Sequence, residues 1–188
     1  MSAVVGQLTF AGLTDSSGKV MTAIKRLPPS FDPAASIATR VAVQKSIDAS
    51  RDDLPGLVVG AADLTGNTGA KLSGATALSA QHPEGRQLFY GVREHAMGAI
   101  AVGMALHGGV LPAVGTFFVF ADYMRPAVRL AALSRAKVIF VFSHDSVGVG
   151  EDGPTHQPVE QLASLRVIPG LRVVRPRSEE HTSELQSH

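Results

Sequence analysis

The run Val138-Ile139-Phe140-Val141-Phe142 is followed, after Ser143, by His144-Asp145-Ser146-Val147-Gly148-Val149-Gly150-Glu151-Asp152-Gly153-Pro154-Thr155-His156. The first part is short, β-branched and aromatic. It reads as a strand buried on both faces, the pattern of a parallel sheet covered on each side. The second part packs two histidines, three acids and three glycines into one turn-rich loop. Ligands of open α/β sheets bind in the crevice beyond the carboxyl ends of the strands, so this loop is a site candidate. Its glycines allow positive φ and close backbone approach. Its histidines can move protons or meet anions near neutral pH. The same composition also suits a plain solvated connection, the commoner fate of such loops. No HExxH or His-x-His spacing fixes a metal cage, and no Gly-Lys-Ser/Thr follows the glycines as in a Walker loop.

Strand and helix patterns alternate on both sides of this stretch, which predicts an α/β fold with a parallel β-sheet sandwiched by helices. Ser36 is placed to cap a helix running to about Ser50, with Ile37, Val41 and Ile47 on its buried face. Leu57 to Ala62 reads as a strand ending in the polar loop Asp63 to Gly69, and residues 70–86 as an irregular excursion. A short strand over Leu88 to Gly91 leads to a helix of small residues from Glu94 to His107. Val110 to Val114 is expected as a strand and Phe120 to Leu133 as a helix weakened at Pro126. Gln157 to Leu165 is expected as a helix and Leu171 to Val174 as a strand. Residues 1–35 are weakly periodic and punctuated by Pro28-Pro29 and Asp32-Pro33, as a connector would be.

The totals narrow the function. The 188 residues, 45% apolar and 18% charged, describe a globular domain with room for a core. Lys and Arg number 17 against 16 Asp and Glu, which argues against a nucleic-acid or membrane-surface partner held by bulk charge. Cysteine is absent, which removes disulfide and thiol chemistry. Met1 to Phe10 lacks the basic start and apolar core of a secretory signal. Ala96 to Ala121 carries no Asp, Glu, Lys or Arg, and a membrane span needs only about 20 apolar residues. His107, Gly108, Gly109 and Pro112 interrupt it, so it reads as buried helix, turn and buried strand. From Arg177 the text Arg-Ser-Glu-Glu-His-Thr-Ser-Glu-Leu-Gln-Ser-His has no core face. It matches the in-frame translation of a common sequencing-library adapter, and residues 177–188 are set apart as an artefact on that ground.

Four segments, in this order and spacing, resemble the transketolase family. They are Gly91-Val92-Arg93-Glu94-His95-Ala96-Met97-Gly98, Gly115-Thr116-Phe117-Phe118-Val119-Phe120, Tyr123 to Leu133, and the loop from His144 through Gln157-Pro158. The similarity runs from Ser36 to Pro176 and corresponds to the family's pyrimidine-binding domain, with residues 1–35 similar to the inter-domain connector. The resemblance implies a fragment: the family has a first domain, which holds the diphosphate and its divalent metal (magnesium or calcium), and a carboxyl-terminal domain.

The cofactor implied is thiamine diphosphate, which reacts through a carbanion on its thiazolium ring. A carboxylic acid bonded to its aminopyrimidine promotes the tautomer that serves as base, and Glu94 matches the family's glutamate for this role. Burial of such a Glu disfavours its charged form and suits proton sharing. From pattern alone, Glu94 reads rather as a first-turn acid complementing the helix dipole, and it is the family motif around it that favours the catalytic role. Phe120 matches the aromatic that stacks on the pyrimidine, with Phe117 and Tyr123 lining the same pocket, while Phe118 reads as core. Asp63, in Ala-Asp-Leu-Thr, matches a cofactor-side acid or else a turn cap. Arg40 and His144 match contacts to substrate phosphate, for which a guanidinium fork is suited. Asp152 matches the acid that reads a substrate hydroxyl, and His156 a histidine near the reacting carbonyl. The family's phosphate-binding serine falls near Asn67, where this chain has Gly66-Asn67-Thr68, leaving Asn67 or Thr68 as replacements.

The resemblance thus implies part of a cytoplasmic, homodimeric transferase of the pentose phosphate pathway, with the site shared between chains. Such an enzyme moves a two-carbon ketol unit from a ketose phosphate to an aldose phosphate, and the fragment alone is expected to be inactive. Dihydroxyacetone synthase and deoxyxylulose-phosphate synthase use the same domain. Arg40 with His144 favours a phosphosugar enzyme over a 2-oxo-acid dehydrogenase. A non-catalytic dimerisation or cofactor-binding module is the rival of another class, and Glu94, Asp152 and His156 speak against it.

Overall fold

The computed structural model describes residues 4–6, by backbone alone, together with 37–150 and 152–175. Among the described residues six strands form one sheet: β1 (Val4–Gly6), β2 (Leu57–Ala61), β3 (Gln87–Phe89), β4 (Leu111–Phe117), β5 (Ile139–Ser143) and β6 (Val173–Val174). Their order across the sheet is β3-β2-β4-β5-β1-β6. The first four in that order, β3, β2, β4 and β5, are parallel, with Val59 beside Ala113 and Ala113 beside Ile139. β1 runs antiparallel to both β5 and β6. It falls within the segment expected as connector, where three residues are too few to show a period. Every residue of β4 is buried, and so are the last four of β5, as strands covered on both faces require.

The strands divide their side chains between two cores. Leu57, Val59, Ala61, Leu111 and Ala113 join Leu54, Ala70 and Leu72 on one face. Val114, Phe140 and Phe142 lie on the other, with Met97, Phe118, Met124 and Leu165. Helices cover both faces, so the sandwiched parallel architecture expected from the alternation is the one observed. α1 spans Thr39–Ala49, α2 is the single turn Thr65–Thr68, α3 spans Glu94–His107, α4 spans Ala121–Leu133 and α5 spans Gln161–Arg166. A 3-10 turn at Phe118–Phe120 leads into α4, and another occupies Pro154–His156. α4 tolerates Pro126 because Met124, Ala127, Val128 and Ala131 bury one continuous stripe.

Several boundaries differ from the sequence reading. α5 begins at Gln161 rather than Gln157, because the 3-10 turn and Pro158 precede it. α1 starts at Thr39, and the expected cap Ser36 lies outside the described residues, as does the 177–188 tail. Its expected apolar face is corrected. Ile47 packs on the core, but Ile37 and Val41 are exposed. Polar contacts set the rotation of α1 instead. Asp48 accepts from Ser73 N at 2.8 Å and Ser73 Oγ at 2.7 Å, and Gln44 Nε2 donates to Ser73 Oγ at 3.1 Å. Ala96 to Ala121 divides into α3, a turn with φ of 90° and 84° at Gly108 and Gly109, and β4. Among the described residues no helix is long and apolar enough to cross a membrane.

Candidate active site

The sheet order reverses between β2 and β4, since β3 returns outside β2 while β5 lies beyond β4. A crevice at the carboxyl ends follows from that reversal. Three neighbouring strand ends feed it. Asp63 follows β2, Phe117 closes β4 and His144 follows β5. Asp63 and His144 both take left-handed backbone, with φ of 61° and 55°. Few residues other than glycine do so, and such positions collect at functional sites.

A cavity of about 550 Å³ opens at this edge. Asp63 and Leu64 border it from the β2 end, Val92 and Glu94 from the start of α3, and Phe120 and Tyr123 from the start of α4. Glu94 and Phe120 therefore face the same hollow. Glu94 is the first residue of α3 and is only 8% exposed. The helix dipole favours a carboxylate there. Among the described residues no donor reaches that carboxylate, so its oxygens remain available to a ligand in the cavity.

An aromatic cluster forms the next wall. The Phe117 and Phe120 rings are nearly parallel, 6° apart, with centroids 6.0 Å apart. His156 meets Phe120 edge-on at 5.3 Å and Phe117 at 6.3 Å, while Tyr123 tilts towards Phe120 at 6.0 Å. Phe117 is nearly buried, and Phe120 shows more of its ring. Phe118 points the other way, into the core at 1% exposure, as read from the sequence.

His144 packs on Phe117, with ring centroids 3.9 Å apart. Ser143 Oγ donates to the Asn67 carbonyl at 3.3 Å and sits 2.9 Å from His144 Nδ1. With its one proton committed to Asn67, the hydroxyl accepts from His144 Nδ1–H, which leaves Nε2 for a ligand. Burial holds the imidazole below its ordinary value, and the nearby Arg40 charge adds to that; Asp152 opposes it, His156 lowers it further and Asp145 opposes again. Arg40 and His144 line one small pocket with Ala38, Thr39 and Ser143.

Asn67 and Thr68 separate clearly. Asn67 is exposed at the edge of the crevice. Thr68 is 0% exposed, its hydroxyl donating to the Leu64 carbonyl at 2.9 Å and accepting from Ala70 N at 3.2 Å. Thr68 is thus a structural residue, which corrects its expected place among the substrate contacts. β4 passes so close that a Cβ on Gly115 would lie 3.0 Å from Thr68 Oγ1. Asp152 stands at the rim, exposed, and reaches the cluster through its charge on His144.

Residues 35–187 match the family described as transketolase, pyrimidine binding domain. The chain belongs to that family. It is 56% identical over 138 residues to a transketolase of Aquifex aeolicus, covering 73% of this chain and 20% of the relative. Among solved structures, transketolase from Leishmania mexicana matches with a TM-score of 0.72 and 42% identity, over 82% of this chain and 24% of that one. A transketolase of Pichia stipitis, solved in complex with sedoheptulose-7-phosphate, matches with a TM-score of 0.71 and 37% identity, over 85% and 26%. The chain spans about a fifth of the length of the curated transketolases it matches.

Within this transketolase domain the structure adds residues that reading the sequence passed over. Val92 and Leu64 line the cavity, and Ser143 sets the tautomer of His144. Ser143 sits directly between a buried strand and a candidate histidine, and that position was the available signal. Asp145 and Arg175 form an ion pair behind the loop at 2.6 Å, and their separation of 30 positions hid it.

Proposed function

We propose that this chain supplies the pyrimidine half of a transketolase active site. In this reading its parent transfers a two-carbon ketol unit from a ketose phosphate to an aldose phosphate, within the pentose phosphate pathway. The observation that carries the proposal is the cavity shared by a buried, undonated carboxylate at Glu94 and the ring of Phe120. These features fit the aminopyrimidine of thiamine diphosphate, which needs an aromatic face to lie on and a carboxyl group at a ring nitrogen. When bound, this cofactor supplies a nucleophilic carbon that accepts and releases the ketol unit.

The chain's own residues then divide the work. Glu94 holds the proton at the pyrimidine nitrogen. Phe120 orients the ring, with Phe117 and Tyr123 beside it, and Asp63 closes the cavity opposite them. His156, edge-on to Phe120, stands where it can give or take a proton at the substrate's carbonyl oxygen. Asp152 reads a substrate hydroxyl, and Arg40, His144 and Asn67 meet the phosphate.

Among the described residues no three His, Cys, Asp or Glu side chains converge on a metal position. In this reading the divalent ion, magnesium or calcium, and the diphosphate it neutralises are held by the first domain of the parent enzyme. A homodimer that completes the site between chains agrees with the apolar surface beside the cavity. Val92 is 74% exposed and Tyr123 65%, and Ile100 and Leu106 of α3 are exposed as well. In the same reading the parent works in the cytoplasm.

The test is Glu94→Gln in the parent enzyme. Two-carbon transfer should fall by about 100- to 10,000-fold, with thiamine diphosphate still bound. An unchanged rate would overturn the proposal. The present chain alone, given xylulose 5-phosphate, thiamine diphosphate and magnesium, should show no turnover, because stacking cannot replace the neutralised diphosphate.

A further inference from the structure

Asp145 directly follows His144, and its side chain is 0% exposed. Arg175, just past β6, meets it twice. Nε donates to Asp145 Oδ2 at 2.6 Å, and Nη2 donates to the Asp145 main-chain carbonyl at 3.2 Å. The other carboxylate oxygen, Oδ1, is buried with no partner among the described residues. Among those residues Asp145 has one ion-pair partner, Arg175. β5 and β6 are not neighbours, because β1 runs between them. Arg175 therefore reaches over the end of β1 to grip the residue that leaves β5.

The residue so gripped adjoins a strained one. His144 holds φ of 55°, a conformation that persists only where the surroundings over-determine it. On one side Ser143 Oγ lies at its Nδ1 and Phe117 covers its ring. On the other side the double contact from Arg175 fixes both the carbonyl and the side chain of Asp145. Without that contact the backbone after His144 is free to relax, and the imidazole need not stay beside Arg40.

We propose that Arg175 is a positioning residue for His144, acting through Asp145 to hold the turn that presents the imidazole beside Arg40. This inference rests on the reading of Arg40 and His144 as the grip on substrate phosphate. Arg175 itself is outside that grip. Its loss should weaken recognition of the phosphate and spare the proton chemistry at Glu94.

The experiment uses the parent enzyme with Arg175→Met, Arg175→Lys and His144→Ala, assayed on xylulose 5-phosphate and on xylulose. Arg175→Met should raise KM for the phosphorylated sugar by about tenfold or more. Its kcat, and KM for xylulose, should stay within about twofold. Arg175→Lys should recover part of the loss. Arg175→Met added to His144→Ala should cost nothing further. Should His144→Ala raise KM for xylulose 5-phosphate while Arg175→Met does not, the positioning inference falls and the reading of His144 stands. Should His144→Ala leave that KM unchanged, the underlying reading falls. If Arg175→Met does not fold, the neutral pair Asp145→Asn with Arg175→Gln carries the same comparison, and an unchanged KM there also overturns the inference.

Discussion

Gly98 of α3 faces Met124 of α4 so closely that a Cβ on Gly98 would lie 2.7 Å from Met124 Cγ and 2.9 Å from Ala127 Cβ. This contact sets the separation between the helix that begins at Glu94 and the helix entered from Phe120. The cavity width thus depends on a missing methyl group one turn further along α3. Gly98→Val in the parent should cost about 1–3 kcal/mol of stability through overpacking and weaken thiamine diphosphate binding by widening the cavity. Thermal melts with and without cofactor measure both effects. A variant as stable as the parent, with undiminished cofactor affinity, would show that the contact does not set the cavity.

Phe120 offers its ring to the cavity, while the Phe117 ring contacts both Phe120 and His144. Aromatic stacking is worth about 0.5–1.5 kcal/mol beyond area burial. Phe120→Leu should therefore weaken thiamine diphosphate binding by about 2- to 12-fold, with little change in KM for the ketose phosphate. Phe117→Leu should instead raise that KM, because it removes the surface His144 lies on. Titrating cofactor by calorimetry and assaying KM on both variants separates the two rings. Identical effects on both quantities would remove the distinction.

Neighbouring polar residues at the end of β2 should behave oppositely. Thr68→Val leaves the buried amide of Ala70 without its acceptor, which costs about 1–3 kcal/mol. Asn67→Ala removes only an exposed side chain, because the Asn67 group that meets Ser143 is its carbonyl. Its stability should stay within about 0.5 kcal/mol of the parent, while KM for the ketose phosphate rises. Denaturant melts beside steady-state kinetics give the comparison. Loss of stability in Asn67→Ala, or none in Thr68→Val, would reverse the assignment.

Much of this was legible in the chain text because local and global signals agreed. β4 and β5 are apolar runs of strand length, and α3 begins and ends at Glu94 and His107 as its pattern states. Glu94 and Phe120, which line one cavity, stood out as site candidates only through the motifs around them. A first-turn Glu and a Phe after an apolar run have commoner explanations. Ile37 and Val41 misled because hydrogen bonds to Ser73, 25 and 29 positions away from their partners, set the rotation of α1. Thr68 misled for a related reason: a hydroxyl beside a ligand loop looks available until the close passage of Gly115 is known. Arg175 could not be paired with Asp145 from sequence, since that needs the order of β5, β1 and β6 across the sheet.

On the proposed reading of His144 as a phosphate contact, phosphate recognition depends on pH. Burial first, and Arg40 second, hold its imidazole below the ordinary value despite Asp152 and Asp145. Near neutral pH the free ring is therefore uncharged, with Nδ1–H on Ser143 and a lone pair at Nε2. A phosphate dianion offers acceptors only, so Nε2 must take up a proton to meet it. Binding should consequently consume a proton, and affinity for the ketose phosphate should rise as pH falls from about 8 towards 6. Fold stability runs the other way. Below about pH 6.5 the unfolded chain binds the His144 proton more readily than the folded one. The stabilisation is present above that value and lost as pH falls through the lower folded one. An NMR titration of the His144 ring in the parent enzyme should find it below the ordinary imidazole range and moving upward on adding inorganic phosphate. A ring that ignores phosphate, together with a KM flat across that pH range, would show that the imidazole takes no part in holding the substrate.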